Sequence, residues 1–274
     1  MTTAQARAAG LTQRQLATLV RHGWRRQTQG VYLVPDPANG FRASVRGALL
    51  TCPEGTTAEL TAARLYGLWG LPKWSSSEQP YLLYPAGRTY NARKGIRLRS
   101  GLQPGDGVTV AGIPATTLGL TAAQLSRVLP ADDLVCAIDS ALRLGWLPEQ
   151  DASAHPPKLR ALLALADGRS ESPLETRLRL LLTRAGLPPE AVQFEVRRED
   201  GSFVARVDMA WPSVKLAVEA DGRDVHELPE AVFRDRERAN DLVEARWRLI
   251  RFTWRDVLYD PESVIRRIRK ALTE

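Results

Sequence analysis

A chain of 274 residues with 44% hydrophobic and 25% charged side chains has the composition of an ordinary globular protein long enough for two hydrophobic cores. Its net charge of +7 is unevenly placed: residues 1–99 carry 14 Lys/Arg against 4 Asp/Glu, a net of +10, whereas residues 151–274 carry 22 of each. The first third is expected to meet a polyanion, and the lack of a Lys/Arg-rich amphipathic helix with a strong apolar face favours nucleic acid over a membrane surface.

The two cysteines, Cys52 and Cys136, stand far apart in apolar, helical surroundings, which excludes a disulfide framework and a zinc site. The N-terminus lacks an apolar signal region and no uninterrupted run of about eighteen apolar residues occurs, so a cytoplasmic location is expected.

A short helix is predicted over about residues 3–9. Thr12-Gln13-Arg14-Gln15 then reads as a capping box, and Leu16, Leu19 and Val20 recur at helical spacing until Gly23. Trp24, Arg25, Arg26 and Gln29 lead through Gly30 into a strand at Val31–Val34. Helix, helix, basic strand and turn is the order of a winged helix-turn-helix. In that arrangement Gln13, Arg14, Thr18 and Arg21 face the major groove of DNA, while Arg25 and Arg26 lie against phosphates. Arginine suits both tasks, since its planar fork binds phosphate bidentately and reads guanine edges. The bland alternative is a charged surface helix, and the +10 charge is what weighs against it.

Helices are predicted at Phe41–Cys52 and Thr57–Leu68, strands at 80–85 and 95–100, and a helix at 132–145. Residues 148–170 mix Pro, Ser, Ala and Asp around one short helix and read as a connector. His155 within it is read as solvated, and His22 beside a helix end as a cap or phosphate contact. A second domain opens at Ser172-Pro173-Leu174-Glu175, a Ser-x-x-Glu box, with Leu174, Leu178, Leu181 and Leu182 as the buried stripe. A strand at about 192–198, strands through FVARVDMAW and SVKLAVEAD, a helix at about 229–245, a strand at Trp247–Thr253 and a helix from about Pro261 to Leu272 follow. The fold class is therefore α/β (α+β overall), with a mixed central sheet flanked by helices. The expected domains are 1–79, an α/β extension at 80–147, the connector at 148–170, and 171–274.

Alternation within SVKLAVEAD puts Leu216, Val218 and Ala220 on one face and Ala217, Glu219 and Asp221 on the other. Asp208, at the end of the preceding strand, adds a third acid where a sheet core favours Val or Ile. Leaving ionised carboxylates in a half-buried strand costs several kcal/mol unless compensated, and a divalent cation is the natural compensation. The structural alternative is a salt-bridge network with matched arginines.

The run LTQRQLATLVRHGWRRQTQGVYLVP with ELTAARLYGLWGL resembles the N-terminal domain of the AbiEi family of antitoxins. That resemblance implies a winged helix that binds its own promoter and a toxin-type protein partner, and a homodimer is expected where the DNA site is palindromic. Residues 171–274 resemble the Vsr-like branch of the PD-(D/E)XK nuclease superfamily, through Glu175, Asp208, Glu219-Ala220-Asp221-Gly222, His226 and the helix holding Asp235 and Arg238. The resemblance implies a restriction-endonuclease-like fold in which Asp208, Glu219 and Asp221 hold a metal and Glu175 is an outer or second-metal ligand. It makes His226 a general acid or base, and it lets Arg236 and Arg238 contact the scissile strand. Oxygen ligands of this kind imply Mg²⁺, with Mn²⁺ as a substitute. Asp221 stands where the superfamily usually has Lys, a departure that bears directly on activity.

Two functions stay open on the sequence: a metal-dependent DNA endonuclease, and a DNA-binding regulator of antitoxin type whose nuclease-like domain no longer cuts.

Overall fold

The computed structural model describes residues 1–35, 40–91, 94–148, 155–222 and 229–274, the side chains of 229–236 excepted. The chain divides into two compact units, one of Met1–Pro130 with Pro148–Leu159 and one of Ala131–Leu147 with Arg160–Glu274. No helix among the described residues is long and apolar enough to cross a membrane.

In the first unit, helices α1 (Thr3–Ala8) and α2 (Gln13–Arg21) both start at threonine capping boxes, Thr2 with Gln5 and Thr12 with Gln15. At the second box Gln15 N donates to Thr12 Oγ1 at 3.3 Å and Thr12 N donates to Gln15 Oε1 at 2.8 Å, so two otherwise orphaned donors are satisfied. Leu16 on α2 is buried with Ala6 and Tyr32. Strands β1 (Arg25–Thr28) and β2 (Val31–Leu33) pair antiparallel, so the basic Arg25-Arg26 run is itself a strand.

Helix α3 (Gly40–Thr51), strand β3 (Thr56–Thr57) and helix α4 (Glu59–Tyr66) follow, then β4 (Tyr81–Pro85), β5 (Arg97–Leu102), β6 (Gly107–Val110), β7 (Ile113–Thr116) and α5 (Leu118–Leu125). The five-stranded sheet has the order β5-β4-β3-β7-β6. Thr57, predicted to begin a helix, instead pairs with Leu82 on one side and Ala115 on the other, and Thr56 pairs with Leu83. Thr57 Oγ1 also donates to Pro114 O at 2.7 Å. A boundary at 79/80 therefore falls inside one sheet, because β3 carries the segment before it into register with strands after it.

In the second unit, helices α6 (Ala131–Arg143), α7 (Pro157–Leu163) and α8 (Pro173–Arg184) precede strands β8 (Ala191–Arg197), β9 (Phe203–Trp211) and β10 (Leu216–Asp221). Helix α9 (Pro229–Glu244), strand β11 (Arg248–Thr253) and helices α10 (Trp254–Tyr259) and α11 (Pro261–Thr273) close the chain. The sheet order is β11-β10-β9-β8, with β10 and β11 parallel and the other pairs antiparallel, the mixed sheet that the element order requires. One face packs Leu174, Leu178 and Leu182 of α8 against Met209, Trp211, Leu216, Val218 and Phe252. The other packs Val207, Ala210 and Ala217 against Leu242 of α9 and Trp247. The predicted alternation of β10 is thus realised.

Helix α6, expected with the N-terminal extension, packs on α8 instead. Fully buried Asp139 accepts from Arg179 Nη2 at 2.8 Å, Thr176 Oγ1 at 2.7 Å and Asp167 N at 2.7 Å. Three donors so arranged satisfy a buried carboxylate and fix α6 to this unit. Both cysteines are buried and free, and burial pushes the Cys136 thiol up to about 12.

Candidate active site

The ladder between β9 and β10 runs Leu216↔Trp211, Ala217↔Ala210 and Val218↔Met209 and then stops. At the next step Ala220 N donates to Asp208 Oδ2 at 2.8 Å, so the side chain of Asp208 takes the donor that a ladder carbonyl would have taken. Strand β10 nevertheless continues parallel to β11 as far as Asp221↔Thr253. The Asp208 carboxylate therefore sits where β9 and β10 part, a position that a strand pattern exposes only when the pairing is known.

Glu175, in the first turn of α8, is buried beside it. Ser172 Oγ accepts from Glu175 N at 3.2 Å as predicted, but the reciprocal half of the box is absent. The Glu175 carboxylate turns inward, and Oε2 accepts from Glu171 N at 2.7 Å and from Gln193 Nε2 at 2.8 Å. The same Gln193 nitrogen lies 3.4 Å from Asp208 Oδ1, so one amide spans both acids. Gln193 adopts a φ of 49°, a left-handed conformation that costs about 1–3 kcal/mol for a non-glycine residue. Sequence reasoning missed this residue. Its signal was the hairpin register, since Val192↔Met209 and Phe194↔Val207 place Gln193 opposite Asp208.

Burial raises the pKa of Asp208, which its Ala220 hydrogen bond opposes and the nearby charge of Glu219 reinforces. Burial raises Glu175 too, and the charge of Asp208 adds to it. Neither acid is ion-paired with a Lys or Arg among the described residues. Two adjacent, desolvated carboxylates with oxygen donors and no paired cation fit a hard divalent ion.

Glu219 is placed differently. Its face of β10 looks toward α9, and its two oxygens are taken by Arg238 of α9 and by Arg251 Nε of β11, the latter at 2.9 Å. Those partners lie 19 and 32 residues away in sequence, so no local pattern reveals them. Among the described residues no group of three or more His, Cys, Asp or Glu is disposed to hold a metal. The expected three-carboxylate cluster of Asp208, Glu219 and Asp221 does not form one, because Glu219 is turned to two guanidinium groups. Asp221 is half-buried at the end of β10. His226 lies outside the described residues, as does the side chain of Arg236.

In the first unit Arg14, Thr18 and Arg21 fall on one side of α2 at i, i+4 and i+7. Thr18 Oγ1 donates to Arg14 O at 3.1 Å and accepts from Arg21 Nη2 at 3.0 Å, while Gln13, Arg14 and Arg21 are exposed. Arg25 is half-buried, its Nη2 3.5 Å from Ser44 Oγ of α3, and both Arg25 and Arg26 line a cleft with Lys94.

The restriction endonuclease-like family model REase_MTES_1575 matches residues 190–272, from β8 through α11. The C-terminal unit thus carries a nuclease-like domain, and domains of that kind generally use divalent metals. Asp208, Glu219 and Asp221 lie within the matched span, and Glu175 lies before it. Over most of its length the chain is also similar to uncharacterized protein MT2308 of Mycobacterium tuberculosis strain CDC 1551 / Oshkosh and to uncharacterized protein Rv2248 of strain ATCC 25618 / H37Rv. Each is 28% identical over 279 residues, covering 96% of this chain and 97% of the relative.

Proposed function

We propose that this chain is a divalent-metal-dependent DNA endonuclease, delivered to DNA by the basic first unit and cutting a phosphodiester with the second. The observation that carries this reading is the pair of acids, half-buried Asp208 and buried Glu175, sharing Gln193 where β9 and β10 separate, with Asp208 inside the matched nuclease-like span. Asp208 and Glu175 would hold the ion, Mg²⁺ with Mn²⁺ as substitute, and Glu219 would join them on leaving Arg238 and Arg251. A bound ion there supplies Lewis-acid charge at the phosphate and lowers the pKa of a water.

The chain's own groups do the rest. Gln193 orients both carboxylates before any ion arrives. Arg238 and Arg251, freed from Glu219, can pair bidentately with phosphate oxygens of the scissile strand, with Arg236 as a further contact. Asp221 and His226 are the candidates to take and return the proton of the attacking water. On α2, Gln13, Arg14, Thr18 and Arg21 would meet DNA in the manner of a winged helix.

A second reading has an observation of its own. Glu219 neutralised by two arginines needs no metal, which suits a regulator of AbiEi type in which the nuclease-like domain binds DNA or a toxin partner without cutting. Plasmid nicking with Mg²⁺ or Mn²⁺, run beside Asp208→Ala and Glu219→Ala, separates the two. Metal-dependent cleavage that both substitutions abolish supports the nuclease. An absence of cleavage on single-stranded, double-stranded, mismatched and branched DNA leaves the regulator.

A further inference from the structure

The first unit contains a cleft of about 560 Å³ between β1, the start of α3, the 76–79 segment and the turn at Lys94-Gly95. That volume is in the range of sites that hold a single small ligand. Arg25, Arg26 and Lys94 line it, and none of the three is ion-paired among the described residues. The acid among the lining residues, Glu78, is already engaged by Arg64 Nη1 at 2.7 Å. Three cations facing one concavity repel one another, and an anion of matching charge removes that repulsion.

The cleft is built, not incidental to a loose loop. Gly95 has a φ of 93°, and a Cβ there would stand 1.8 Å from the carbonyl oxygen of Gln27, so the turn bearing Lys94 lies hard against β1. Arg25 is held from the other side by Ser44 Oγ at 3.5 Å. Gln29, Gln79 and Ser76 add neutral donors and acceptors beside the cationic wall. A duplex presents its phosphates on a broad convex surface that cannot enter a concavity of this size, whereas a single nucleotide can.

We propose that this cleft binds a free nucleoside polyphosphate, with Arg25, Arg26 and Lys94 on the phosphates and the neutral side chains on the nucleoside. Arg25 and Arg26 then serve a small ligand in place of the DNA backbone that their sequence suggests.

The test is isothermal titration of the full chain in EDTA, which keeps the metal chemistry of the second unit out of the measurement. The probes are ATP, GTP, inorganic tripolyphosphate and adenosine. Saturable one-to-one binding of a nucleoside triphosphate, tighter than tripolyphosphate and absent for adenosine, is expected. R26Q and K94Q should each weaken it by about tenfold, the scale of a lost charge-assisted contact, while thermal melts without ligand stay unchanged. R14A and D208N should leave it intact, so its failure is distinct from failure of the nuclease reading. No saturable binding, equal binding by R26Q and K94Q, or triphosphates no tighter than tripolyphosphate would each overturn the assignment.

Discussion

Asp208 and Glu175 are destabilised as anions by their burial, and this sets the sign of their pH dependence. A raised pKa means that the folded chain holds these protons more firmly than the unfolded chain does. The penalty is absent below the ordinary carboxylate range and grows as pH rises from there through the raised values. Asp208→Asn and Glu175→Gln should therefore raise the melting temperature at pH 7, give no gain near pH 3, and abolish metal-dependent nicking. Denaturation followed by circular dichroism across that range checks the first two outcomes. An equal shift at both pH values would contradict the argument. Added Mg²⁺ or Mn²⁺ should likewise raise the melting temperature of the parent chain, and not that of Asp208→Asn. Gly95 is held in the first unit by sterics of its own. Its positive φ and the 1.8 Å approach to Gln27 O leave no room for a methyl group, so Gly95→Ala should destabilise the chain by about 1–3 kcal/mol in a urea melt.

Among the elements, α8 joins the core to the site. Leu174, Leu178 and Leu182 form its buried stripe, and its first turn aims Glu175 at Gln193. Leu178→Ala should cost about 2–5 kcal/mol, the range for a fully buried leucine. The stripe was legible because helical spacing repeats it. The inward turn of Glu175 was not, because Ser-x-x-Glu describes a cap equally well when the acid closes the box and when it leaves. Helix α2 offers the converse case: its capping box, its buried Leu16 and its exposed Arg14 and Arg21 all follow from local pattern. Arg14→Ala and Arg21→Ala should weaken DNA binding across sequences and each lower the slope of log affinity against log salt by about one. Fluorescence anisotropy of a labelled duplex at several salt concentrations reads this directly. An unchanged slope would remove α2 from the interface.

For the whole molecule, the basic charge and the nuclease-like match fall in different units. The +10 charge sits in residues 1–99, and the nuclease-like match sits in residues 190–272. The amino-acid sequence by itself determined the fold class, the mixed sheet of the second unit, the facing of β10 and the presence of Asp208 and Glu219 as acids within strands. These follow from periods of two and 3.6 residues and from charge, all of which are local. Tertiary structure alone decided that α6 belongs with α8 through Asp139 and Arg179, and that β3 ties both sides of residue 79 into one sheet. It alone brought Gln193 between Glu175 and Asp208, and gave Glu219 to Arg238 and Arg251 instead of a shared carboxylate cluster. Each of those outcomes is a contact between residues at least fifteen positions apart in the chain. Such a contact is fixed by register and packing, and local periodicity does not encode which distant partner a polar side chain will find.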